Sequence, residues 1–99
     1  MSLFLIRRDV PTASEEDIRA GILRAVSCAF NFEGMRWVTS YWDRENERAY
    51  CVYEAQSAEQ LRDHAERARV PCDEVLAVDC ISPEDLLTSA GTQAGLSTQ

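Results

Sequence analysis

The sequence predicts an α+β fold in the order β-α-β-β-α-β, and three observations predict it. Two stretches carry apolar residues at helical spacing behind helix-start signals. Four others are rich in strand-forming residues, and the polar runs between elements are short.

The first strand is predicted over Leu3 to Arg8 and is stopped by Asp9-Val10-Pro11-Thr12. Ser14 then supplies an N-cap, with Glu15, Glu16 and Asp17 in a first turn where the helix dipole favours acids. Ile18, Ile22, Ala25, Val26 and Ala29 follow on one helical face, with Leu23 and Phe30 widening the stripe, and Asn31 to Gly34 end it. Met35 to Asp43 reads as a strand because Trp37, Val38, Thr39, Tyr41 and Trp42 favour a pleated surface. Arg44 to Glu47 is a polar hairpin loop, and Arg48 to Ala55 is the return strand. Ser57 and Gln60 form a capping box in sequence, opening a helix with Leu61, His64, Ala65 and Ala68 on its inner stripe. Its outer face carries Glu59, Arg62, Asp63, Glu66 and Arg69, with supporting pairs such as Asp63 and Arg67. Pro71 punctuates the chain, and Glu74 to Ile81 is the fourth strand. Residues 1–83 make one domain. Residues 84–99 form an extension with a turn at Glu84 to Leu87 and a polar, flexible tail.

This order is the split βαβ of a ferredoxin-like fold. Right-handed crossovers put both helices on one face of an antiparallel sheet. The other face then lies bare and apolar, and two such faces packed together would close a dimeric α+β barrel. A four-residue hairpin loop pairs Asp43 with Arg48, Tyr41 with Tyr50 and Trp37 with Glu54. Alternation sorts the hairpin into Trp37, Thr39, Tyr41, Tyr50, Val52 and Glu54 on one face. Val38, Ser40, Trp42, Ala49, Cys51 and Tyr53 take the other, and these smaller residues suit the side beneath the helices.

Composition narrows the chemistry. With 99 residues and a formal charge of −7, the chain suits neither nucleic acid nor an anionic membrane as partner. All 10 cationic side chains are Arg, which excludes a Schiff-base lysine and a P-loop lysine. The opening run Leu3 to Ile6 is too short for a signal-peptide core, and no segment approaches a membrane span. Cys28, Cys51, Cys72 and Cys80 follow no disulfide-scaffold or C-x-x-C spacing, so reduced thiols and a cytoplasmic location are expected. No organic cofactor motif occurs.

His64 is the single histidine, and it lies on an inward stripe. Such a residue is either a core histidine satisfied by a carbonyl or carboxylate, or a metal ligand or proton carrier. Together with Cys51 and a nearby Tyr or carboxylate it offers donors for a borderline divalent metal. Cys51 alone reads as a small buried hydrophobe, as do Cys28, Cys72 and Cys80. Cys72, beside Asp73 and Glu74, is expected to have a thiol raised by those acids. Glu54 stands among apolar neighbours, so it is either a buried functional carboxylate or paired across a dimer with Arg7 or Arg36. Tyr41 and Tyr50 are explained by cross-strand packing or act as ligands.

The stretches Leu5 to Pro11, Arg36 to Tyr41, Tyr50-Cys51-Val52-Tyr53-Glu54-Ala55 and Arg62-Asp63-His64-Ala65, with Pro71 and a Val-rich closing strand, resemble one family. It is a family of small bacterial proteins that includes a nickel-responsive, nickel-binding protein. The resemblance runs over about residues 3 to 81. It implies a ferredoxin-like fold, a homodimeric α+β barrel, and Ni(II) or another divalent transition metal as ligand. The matching positions by residue type are His64, Cys51, Tyr53 and Tyr41, then Glu54 and Ser40, although Tyr41 falls on the opposite face from Cys51. Two other functions stay open. One is a cofactor-free monooxygenase- or isomerase-like enzyme, with a small apolar ligand between sheet and helices, His64 as acid or base, and Trp42, Tyr53 and the first helix as walls. The other is a dimeric module without ligand.

Overall fold

The computed structural model describes residues 2–86. Its elements are β1 (Ser2–Asp9), α1 (Glu15–Ala29), β2 (Arg36–Asp43), β3 (Arg48–Ala55), α2 (Ala58–Ala68) and β4 (Glu74–Val78), in the predicted order. A single helical turn over residues 83–86 follows, and the predicted tail beyond it lies outside the described residues.

Local chemistry sets the helix starts. Ser14 accepts from the Asp17 backbone N–H while Asp17 accepts from the Ser14 N–H, a complete capping box. Ser57 caps α2 by accepting from Gln60 N–H at 3.1 Å, but the Gln60 side chain reaches one residue further out, to Gln56 N–H. α2 ends on Arg69 in the left-handed region, φ 61°.

The sheet runs β2-β3-β1-β4 with every neighbouring pair antiparallel, which is the ferredoxin-like arrangement. Phe4, Ile6, Cys51, Tyr53 and Ala55 face the helices and pack with Ala29 and Leu61 into the core. On α1 only Ile18, Ala25 and Ala29 are fully buried; Leu23 and Phe30 are exposed, so the stripe is narrower than its periodicity implied. The whole predicted stripe of α2 is buried.

Hairpin register departs from expectation at one place. Asp43–Arg48 and Tyr41–Tyr50 pair as predicted, but a bulge between Trp37 and Thr39 puts Trp37 opposite Tyr53 and Arg36 opposite Glu54. One extra residue shifts every side chain before it to the other face. Trp37 therefore joins the helix-facing set, and Arg36 joins Glu54 on the open face.

Candidate functional site

β1 carries its alternation to its end. After Phe4 and Ile6, Arg8 also turns inward and is only 4% exposed. Its Nε donates to Cys51 Sγ at 3.3 Å, and one terminal nitrogen donates to the Pro71 carbonyl. Its other terminal nitrogen, Nη2, is buried without a partner. Ser40 Oγ also donates to Cys51 Sγ, at 3.1 Å, and the bulge lets Trp37 Nε1 donate to Ser40 Oγ at 2.9 Å. β1, β2 and β3 thus contribute to one polar chain that runs from the exposed Trp37 through half-buried Ser40 to the buried Cys51 and guanidinium.

Beside it, α2 presents His64, which has no exposed surface. Nε2 donates to the Ala25 carbonyl of α1 at 2.7 Å, leaving Nδ1 as a buried lone pair without a partner. The ring lies against Tyr53 (centroids 5.3 Å apart) and edge-on to Phe32 (5.6 Å). Burial lowers the His64 pKa, and the positive charge of Arg8 pushes the same way against the Ala25 carbonyl. Burial likewise lifts the Tyr53 phenol, to about 12, so it stays protonated. The Cys72 thiol is also raised, but burial leads there and Asp73 adds least.

A cavity of about 290 Å³ opens between α1 and the sheet. Ile18, Ile22 and Ala25 of α1, with Val10, Pro11 and Val70, supply apolar walls, while Arg8, Ser40, Cys51 and Tyr53 supply the sheet side. Tyr53 and the first helix line it as a ligand pocket required. Trp42, considered as a wall, and His64, considered as acid or base, are not among the lining residues.

The six candidate ligands divide between two faces. His64, Cys51, Tyr53 and Ser40 lie on the helix side. Tyr41 and Glu54 lie on the open side, where Tyr41 is exposed and Glu54 is bound by Arg36 at 2.9 Å. That bond to Arg36 holds the Glu54 carboxyl below its ordinary pKa. Glu54 is paired with Arg36, one of the two arginines expected, but within the chain, where the bulge brings Arg36 opposite it. Arg7 is engaged by Glu74 and Asp9 instead.

By donor type, the helix-side set suits a borderline divalent metal. By arrangement it does not fit one. Cys51 Sγ already accepts two hydrogen bonds, the Tyr53 phenol resists ionisation, and a buried cation adjoins them. Among the described residues no three His, Cys, Asp or Glu side chains are grouped to hold a metal ion.

Arg8 and Phe32 were missed from sequence. For Arg8 the signal was available: Phe4, Ile6 and Arg8 are spaced by two, so an inward Phe4 implies an inward Arg8. Phe32 sits in a polar run after the helix and carries no periodic signal.

Comparison with known proteins adds the family. The profile described as "Nickel responsive protein SCO4226-like" matches residues 4–78. Among solved structures, SCO4226 from Streptomyces coelicolor A3(2) superimposes with a TM-score of 0.73 at 20% sequence identity, covering 82% of this chain and 100% of that one. No curated protein sequence matches.

Proposed function

This chain belongs to the nickel-responsive SCO4226-like family, and we propose that it is a non-catalytic binding protein whose site is the cavity between α1 and the sheet. The observation that carries the reading is the cavity itself: about 290 Å³, apolar along α1, with a few convergent polar groups on the sheet side. Small-ligand sites have this composition. The single imidazole lies outside the lining, which favours binding over acid–base catalysis. Native mass spectrometry of protein as purified, with amide shift mapping against a set of small apolar molecules, tests it. Shifts concentrated on α1 and β3 are expected; shifts scattered over the surface would remove the cavity as a site.

Direct Ni(II) binding is the second reading. It is favoured by the family and by the open lone pair on His64 Nδ1, and it requires donors that this arrangement does not supply. Metal analysis of protein prepared without a nickel-affinity step, then calorimetric titration with Ni(II), Zn(II) and Cu(II), decides it. Stoichiometric binding lost in His64→Ala and weakened in Cys51→Ser would establish the reading. Weak binding insensitive to both would end it.

A homodimer is part of the proposal. Leu3, Leu5, Val52, Leu76 and Val78 fall on the sheet face away from the helices, and Leu76 is 43% exposed. Apolar surface of this kind marks interfaces. Sedimentation velocity should give a dimer that Val52→Asp converts to monomer; a monomeric wild type would exclude it.

A further inference from the structure

The Arg8 guanidinium is a charge taken out of water without an answering charge. Every other ion pair found lies near the surface, and among the described residues no carboxylate comes within salt-bridge distance of Arg8. Its geometric hydrogen-bond partners are a sulfur, which is a weak acceptor, and one carbonyl, and the neutral Tyr53 phenol beside it brings no charge. Nη2 has none. A buried cation in this state is costly unless something completes it, and Arg8 forms part of the cavity wall.

We infer that the cavity takes a small organic monoanion, a carboxylate with an apolar body, whose charged end is bound by Arg8. This deepens the cavity reading and rests on it. Nη2, the guanidinium nitrogen left without a partner, can donate a charge-assisted hydrogen bond to a carboxylate oxygen. Cavities of about 150 Å³ hold a benzene, so 290 Å³ accommodates about a dozen heavy atoms. The remaining charged groups of the lining set the valence. Arg24 is occupied by the Ala68 and Arg69 carbonyls at 3.1 and 3.2 Å. Asp17 is held in its capping box, and the Asp9 carboxylate lies 3.3 Å from Arg7 and 3.6 Å from Arg48. These two carboxylates, on a chain of net charge −7, repel a polyanion. One buried cation therefore selects one negative charge, and the walls of Ile18, Ile22 and Ala25 select the body.

The test compares hydrocinnamate with its primary amide, which has the same shape and no charge, by calorimetry on the full chain. The carboxylate should bind at least about tenfold more tightly, as a charge-assisted contact requires, with shifts at the Arg8 side-chain N–H. Arg8→Met should bring the two ligands to equal affinity, and Arg8→Lys should restore part of the difference. The wild-type comparison needs no variant, so a variant that fails to fold leaves the test intact. Equal binding of acid and amide in the cavity would overturn the anion inference while leaving the cavity reading in place. Binding of neither would overturn both. Displacement of hydrocinnamate by inorganic phosphate at similar concentration would overturn the selection of an apolar monoanion.

Discussion

Replacing His64 with Leu should flatten the dependence of stability on pH below the ordinary histidine value of 6.5. The sign follows from burial. The unfolded chain takes up a proton at His64 below pH 6.5, whereas the folded chain, with the ring fully enclosed and its pKa lowered, declines it until lower pH. The stabilisation is thus fully present above 6.5 and is lost as pH falls toward the folded value. Between the two, linkage sets a slope of about 1.4 kcal/mol per pH unit. Against a total stability of about 5–15 kcal/mol, that slope is readily measured. The substitution also removes the bond from Nε2 to the Ala25 carbonyl, worth about 1 kcal/mol, but this offset is the same at every pH. Carboxylates held low by hydrogen bonds, among them Glu15, Asp17 and Glu54, lose their contribution only below their ordinary values of 4.5, 3.8 and 4.5. The window above about pH 5 therefore belongs to His64. Urea unfolding followed by tryptophan fluorescence across this range, at fixed protein concentration, reads the slope. Parallel curves for wild type and His64→Leu would refute the argument, because they would mean that the folded ring protonates as easily as the unfolded one.

Three further expectations are independent of ligand. Leu61, fully buried against Phe4, Ile6 and Tyr53, should cost about 2–5 kcal/mol as Leu61→Ala, read as a lower urea midpoint with an unchanged slope. Gly21→Ala should raise stability by up to about 1 kcal/mol through helix propensity; the new Cβ would meet Arg24 Nη2 and Val70 Cγ1 at an ordinary 3.9 Å. A fall in melting temperature would contradict that fit. With a thiol reagent, Cys80 should react first and Cys51 only on unfolding, since the one is exposed and the other 2% exposed; Cys72, raised by burial, should lag Cys80.

Element order was legible because each start carries local chemistry: Ser14 with its acids, Ser57 with Gln60, the polar loop from Arg44 to Glu47. These signals act within a few residues and need no tertiary context. The inner stripe of α2 was legible for the same reason, since its spacing admits one face. Two features of the site were not. The bulge at Val38 carries no glycine or proline to announce it, yet it decides that Trp37 reaches Ser40 and that Arg36 takes Glu54. The inward Arg8 was obscured because a charge at a strand end reads as solvent-facing, although the predicted strand includes it and the pleat turns it inward with Phe4 and Ile6. Leu23 and Phe30 show the opposite error, apolar residues whose helical position exposes them.

Arg8 and His64 form one electrostatic unit, and this sets what the interior can accept. Burial leads in lowering the imidazole pKa and the guanidinium adds a smaller push the same way, so a neutral ring with an open lone pair is maintained beside a fixed cation. A dication approaching that lone pair meets the guanidinium's field at low dielectric, where repulsion is strongest. An organic anion meets the reverse: it neutralises Arg8 and thereby relieves the charge acting on His64. Removing the guanidinium should have the same effect. In Arg8→Met the His64 pKa should move back toward its ordinary value, measured by NMR titration of the ring Cε1 proton, and saturating hydrocinnamate should move the wild-type value in the same direction. An unmoved titration in Arg8→Met would show that the two side chains are not coupled, and the electrostatic case against a buried metal would then lose its main support.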